Sequence, residues 1–145
     1  MRFTGIEKVF NRTERLQERI DDSRPAFEEA GEYFKGSIDR NFEASGRPRR
    51  WQKLAASTLA GRRRRGNSSE RPLEDTGKMR AGIQAIVKSD SLEAGSDAVQ
   101  ARRQQHGWPG GKGRGNSRTP ARPFVMIQTE DQDAVTELFS RHYRS

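Results

Sequence analysis

Ile83-Gln84-Ala85-Ile86-Val87-Lys88-Ser89-Asp90-Ser91-Leu92-Glu93-Ala94-Gly95-Ser96 is the stretch that decides the fold class. Residues 83–88 are apolar and partly β-branched, Lys88-Ser89-Asp90-Ser91 is turn chemistry, and residues 92–96 form a second short run containing Gly95. Strand formers on both sides of a polar turn predict two antiparallel strands. The chain on either side has a helical texture. Helices, then strands, then a helix predict an α+β fold: N-terminal helices packed on a small antiparallel sheet, with a C-terminal helix and long basic loops.

Working outward, Thr76-Gly77 predicts a cap or tight turn into residues 79–83. Trp51, Leu54, Ala55, Thr58 and Leu59 fall at i, i+3, i+4, i+7 and i+8, which predicts a short helix with one apolar face, ended by Gly61. On that stripe Trp51 reads as core rather than as a binding platform. Phe27, Ala30, Phe34, Ile38 and Phe42 mark a longer helical stripe. It opens at Asp22-Ser23, with Pro25 in the first turn, and stops at Ser45-Gly46 before Pro48. Phe3, Ile6, Val9 and Phe10 begin a charged helix that continues through Leu16 and Ile20. Toward the C-terminus, residues 98–106 suit a short helix and residues 124–128 a strand. Thr129-x-x-Gln132 reads as a capping box opening a terminal helix with Val135, Leu138, Phe139 and Tyr143 inward.

A chain of 145 residues suits one domain, 1–145. With 30% hydrophobic against 33% charged residues its core is small, and partner subunits are expected to complete the burial. The net charge of +8 is unevenly placed. Residues 44–69 hold eight Lys/Arg and no acid, residues 98–129 hold six and no acid, and the rest of the chain holds 14 basic against 20 acidic residues. An acidic body thus carries two cationic segments, with a flexible basic loop at about 61–70 and a Gly-rich basic loop at about 107–118. Segregation of this kind suits segments that face a polyanion or an acidic neighbour. The candidate contacts are Arg62, Arg63, Arg64, Arg65, Arg102, Arg103, Lys112, Arg114 and Arg118. Against phosphates they would give salt-dependent, sequence-independent affinity; a plain solvated loop weighs equally. With Trp51 on the apolar helix face, Trp108 is left beside the second segment, and this lack of interleaved aromatics disfavours a stand-alone RNA or DNA binder.

Catalytic constellations are nearly absent. There is no cysteine, and the two histidines, His106 and His142, have no metal-ligand spacing. Gly110-Gly111-Lys112-Gly113 fails as a phosphate loop, because His106 stands where the first Gly belongs and Gly113 where Ser or Thr would hold magnesium. The acid pairs Glu28/Glu29, Glu74/Asp75 and Glu130/Asp131 each fall near an expected helix start, where they favour the dipole. No apolar run approaches the roughly 20 residues that span a bilayer, and the N-terminus lacks a signal-peptide apolar region. The expectation is a non-enzymatic protein with no cofactor, no metal and no membrane segment, working by binding.

Several segments in order resemble the phage virion morphogenesis family, the tail-completion proteins of Mu-like and related tailed phages. Phe42, then Gly46-Arg47-Pro48, Trp51-Gln52-Lys53-Leu54 and Thr58 are similar to that family's helix pair. Leu73, Thr76-Gly77, Met79 and Ile83 resemble its L-x-x-T-G-x-L-x-x-S-I segment, with Met79 for the usual Leu and Gly82 for Ser. Gly95-Ser96, Ala101, Gln105 and Gly107 resemble its next stretch, with His106 departing from the usual aromatic or aliphatic residue. Thr119-Pro120-Ala121-Arg122-Pro123-Phe124 resembles its P-A-R-P-F segment. The likeness runs over about residues 15–143, and it implies fold-determining roles for these motif residues. It also implies a virion component, assembled in the host cytoplasm, at the neck or tail end. Its partners would be further copies in a ring (a hexamer is favoured), other neck, tail-terminator or tail-tube proteins, and genomic DNA in the channel. The alternative is a basic nucleic-acid-binding protein acting through phosphate contacts.

Overall fold

The computed structural model describes residues 6–112 and 118–144, in the order α1 (Ile6–Asp21), α2 (Arg24–Glu43), α3 (Ala56–Arg64), α4 (Lys78–Ala81), β1 (Ile83–Val87), β2 (Leu92–Ser96), α5 (Ala101–His106) and α6 (Thr129–Arg144). Phe3 and Arg114 lie outside the described residues, as do the side chains of Ile6 and Val9. The class is α+β, as expected: N-terminal helices on a two-stranded antiparallel sheet, plus a C-terminal helix. Among the described residues no helix is long and apolar enough to cross a membrane.

The hairpin forms where the sequence places it. Ile83 pairs with Ser96, Ala85 with Ala94 and Val87 with Leu92, and the Lys88 N–H donates to the Ser91 carbonyl at 2.8 Å to close the turn. Alternation puts Ile83, Ala85, Val87, Leu92 and Ala94 half-buried on one face, against α2, while Gln84, Ile86 and Glu93 face outward. The sheet lies so close to α2 that a Cβ on Gly31 would sit 3.3 Å from both Ala85 Cβ and Leu92 Cδ1. Gly here sets the depth of helix–sheet packing.

The α2 stripe is the spine of the core. Ile38 and Phe42 pack with Trp51, Met79, Ala101 and Phe124, and Ala26 and Ala30 pack with Leu138. The Phe42 ring lies 5.6 Å from Trp51 and 5.7 Å from Phe124, edge-on and tilted, the geometries ring quadrupoles favour. α2 stops as expected, at Ser45 (φ 53°) and Gly46 (φ 108°), and a cis Arg47–Pro48 bond follows. Any Cβ at Gly46 would meet the Arg49 carbonyl at 2.6 Å, so only Gly fits. The start differs from expectation. Ser23 holds the N-cap position, but its hydroxyl donates back to the Ile20 carbonyl at 2.9 Å instead of capping α2.

Three expected elements are corrected. Trp51 and Leu54 do not lie on a helix: α3 begins at Ala56, and residues 51–55 are irregular. The core claims Trp51 directly, since its indole N–H donates to the Pro123 carbonyl at 3.0 Å, and that contact holds the segment off the helical path. Gly61 does not end α3, which runs on to Arg64. The strand expected over residues 124–128 does not form, because side-chain amides take the bonds a ladder would use. Asn41 Nδ2 donates to the Phe124 carbonyl at 2.9 Å. Gln105 Oε1 accepts from the N–H groups of Phe124 and Val125 at 3.0 and 3.1 Å, and its Nε2 donates to the Val125 carbonyl at 2.8 Å. Replacing Gln105 by Ala strands three backbone groups, so urea denaturation is expected to show a loss of roughly 2–4 kcal/mol. An unchanged midpoint would mean that the amide organises nothing.

The capping box is also shifted by one residue. The Gln128 N–H donates to Asp131 Oδ2 at 2.8 Å, so fully buried Asp131, not Gln132, makes the reach-back bond, and Thr129 is already inside α6. Leu138 is buried and Val135, Phe139 and Tyr143 are half-buried, as their spacing predicts.

Candidate functional site

Most of the residues in the resembling motifs are structural. Phe42, Trp51, Met79, Arg122 and Phe124 are buried; Leu54, Leu73, Pro120 and Pro123 are half-buried; Pro48, Thr58, Thr76 and Gly77 are exposed. Gly77 takes the N-cap of α4 in the left-handed conformation, which is the tight turn expected before the sheet.

The basic segments divide into structural and available cations. Arg62 does not project from a loop: it sits in the last turn of α3 with 5% of its surface exposed. Its Nη1 donates to the carbonyls of Ser69 and Arg71, both at 2.9 Å, and Nε lies 3.4 Å from Asp75 Oδ1. Residues 61–64 are therefore helix, and Arg62 clamps the chain that follows. Arg63 pairs with Glu70 at 3.0 Å and Arg65 with Asp75 at 3.1 Å. The acid-free window ended one residue short of Glu70, which is why the sequence showed no partner. Arg47 belongs to the frame too: it reaches Asn41 Oδ1 at 2.8 Å and Glu130 at 3.1 Å, tying α2 to α6.

In the second segment, a bridge between Trp108 and Thr119 closes the base of the Gly-rich loop. Arg103 holds it there, donating to Thr119 Oγ1 at 2.9 Å with its guanidinium over the Trp108 ring. Arg102, Lys112 and Arg118, with Arg64, Lys53, Arg49 and Arg50, make no ion pair among the described residues. A further cationic group lies outside both segments: Arg12, Arg15 and Arg19 of α1 and Arg144 of α6 line one cleft beside Tyr143. Helical spacing on α1 could have shown three of these.

Between α3, α4, α5 and residues 118–122 lies an open cleft of about 830 Å³. Arg62, Arg118, Arg122 and Lys53 line it with one acid, Asp75, which serves Arg65, Asn67 and Arg62. Arg122 is only 5% exposed and has no carboxylate partner among the described residues. Its Nε donates to the Gln52 carbonyl at 3.0 Å, while Gln104 Oε1 and the Lys53 carbonyl stand at 3.4 Å. Burial first, and then the like charge of Arg62, lower its pKa from the ordinary guanidinium value. Elsewhere, Asp39 pairs with Arg80, whose hydrogen bond holds the carboxyl below its usual range. Among the described residues no cluster of His, Cys, Asp and Glu could hold a metal ion.

The body is a two-stranded α+β fold stabilised by arginine clamps and side-chain amides, with cations and apolar surface left over. The sequence model of the phage virion morphogenesis family matches residues 4–144, and the chain belongs to that family. Its role is accordingly one in phage structure and morphogenesis. No curated protein and no solved structure matches it.

Proposed function

We propose that this chain is a tail-completion or head–tail neck subunit, whose copies close into a ring at the head-proximal end of the tail, six-fold by analogy with the tail. The observation that supports the ring is α1. Its residues fall into three sectors at helical spacing: Phe10, Leu16 and Ile20; Glu14, Glu18 and Asp21; Arg12, Arg15 and Arg19. Phe10 is 64%, Leu16 42% and Ile20 52% exposed, so the described chain leaves this apolar stripe uncovered. The body offers a matching surface, an open apolar groove of about 300 Å³ lined by Phe27, Phe34, Leu92, Val135 and Phe139, with exposed Met126 and Ile127 beside it. A stripe and a groove carried by one chain can join neighbouring copies head-to-tail, and a head-to-tail contact that closes makes a ring. The unpaired cations would then face channel DNA or acidic neck, tail-terminator or tail-tube neighbours.

Complementation tests this reading. A phage lacking the chain is expected to produce separate heads and tails, and a Leu16→Glu/Ile20→Glu chain is expected not to rescue joining. Joined, infectious particles at the normal yield in either case would overturn it. The unpaired cations also favour a second reading, free binding to nucleic acid. It requires a duplex gel shift that weakens steeply with salt; no shift at low salt removes it.

A further inference from the structure

We propose that the cleft between α3, α4, α5 and residues 118–122 is a receptor for an acidic segment of a partner protein, with a partner carboxylate seated against Arg122 and Arg62. The proposal takes from the reading above only that the partner is a virion protein.

The case begins with charge balance. A buried cation is costly unless an anion answers it. Arg122 is buried, keeps its charge as guanidinium does, and is met only by neutral oxygens, two of its three partners standing at 3.4 Å. Arg62 does not relieve it but adds a like charge, and the buried Arg62 Nε faces Asp75 Oδ1 at 3.4 Å without making a hydrogen bond. Arg118 and Lys53 add two more cations to the wall, while the one carboxylate, Asp75, is shared among Arg65, Asn67 and, at 3.4 Å, the Arg62 Nε. The described chain therefore sets four cations against one shared carboxylate in a concave site, and leaves buried Arg122 without an anion. A carboxylate accepting from guanidinium N–H groups would complete it with charge-assisted bonds.

The shape selects peptide over nucleic acid. Duplex phosphates lie on a convex rod and meet exposed cations, such as Arg64, Arg49 and Arg50 here. Arg62 and Arg122 of this cleft are instead almost fully buried. Apolar groups, Leu54, Leu73, Met79 and Pro120, share its walls. They suit a carboxylate flanked by apolar side chains, and give a bare phosphate nothing to pack on.

The experiment uses the full chain labelled with ¹⁵N-arginine, following the side-chain Nε–Hε signals of Arg62 and Arg122. The probes are a capped Ala-Leu-Glu-Leu-Ala peptide, its Gln counterpart and a short duplex DNA. The Glu peptide is expected to shift both signals saturably, with the Gln peptide binding at least tenfold more weakly, a loss of about 1.4 kcal/mol. Arg118→Gln, an exposed change that spares the fold, is expected to weaken the Glu peptide about two- to fivefold. The proposal fails if the Glu and Gln peptides behave alike, if neither moves the signals, or if duplex DNA moves them at lower concentration. Because the measurement needs no particle, its failure leaves the ring reading to stand or fall by complementation.

Discussion

Phe42→Ala is expected to lower stability by about 3–5 kcal/mol, the usual result of emptying a large aromatic site that cannot collapse. Phe42 touches Trp51 on one side and Phe124 on the other, and it belongs to the cluster with Ile38, Met79 and Ala101. Removing it opens a void between the helix, the irregular segment after Pro48 and the segment before α6. No neighbouring side chain is free to fill it, because Trp51 is tethered to Pro123 and Phe124 is held by Asn41 and Gln105. Set against a typical total of roughly 5–15 kcal/mol, this leaves a small charged domain marginal. Thermal denaturation is expected to show a midpoint lower by on the order of 10 °C. Phe10→Ala, made on the exposed stripe of α1, is expected to stay within about 0.5 kcal/mol of wild type. Equal effects would mean that the core is not centred on Phe42.

The arginine run gives the second large effect, and only one of its members is expected to produce it. Arg62→Ala removes the donor that gathers the carbonyls of Ser69, Arg71 and Glu74, and is expected to cost roughly 2–3 kcal/mol, as hydrogen bonds to charged groups do. Arg63→Ala and Arg65→Ala break exposed ion pairs and Arg64→Ala breaks none, so each is expected to cost under about 1 kcal/mol. Urea titration of the four single variants checks this directly. Four similar values would return the run to an exposed loop. The contrast also governs functional tests of the basic segment: Arg63, Arg64 and Arg65 can be changed together, whereas including Arg62 would confuse lost contact with lost fold.

Legibility in the sequence followed the range of the interactions. The hairpin at 83–96, the α2 stripe with its stop at Ser45-Gly46, the short α5 and the terminal helix all rest on local periodicity and turn chemistry, and they formed where expected. The misreadings came from side chains that satisfy distant backbone. Trp51 and Leu54 share helical spacing with Thr58, yet only Thr58 lies on α3, because Trp51 bonds to Pro123, 72 residues away. Residues 124–128 look like a strand, but Asn41 and Gln105 take their hydrogen bonds. One hint was present: Asn41 is a polar residue three positions after Ile38, next to Phe42, on an otherwise apolar stripe. The charge map was incomplete about pairing, since Glu70 and Asp75, the partners of Arg63 and of Arg62 and Arg65, lie just beyond the first acid-free window. That Arg122 would be buried could not be read from a local pattern.

The ring proposed for this chain sets bound copies side by side where head meets tail. Determining its position and symmetry in the intact particle by electron cryomicroscopy tests that proposal most directly. The expected result is a closed ring of this chain at the head-proximal end of the tail, with α1 of each copy lying in the apolar groove of the next. Copies found elsewhere in the particle, or present singly with α1 uncovered, would contradict it.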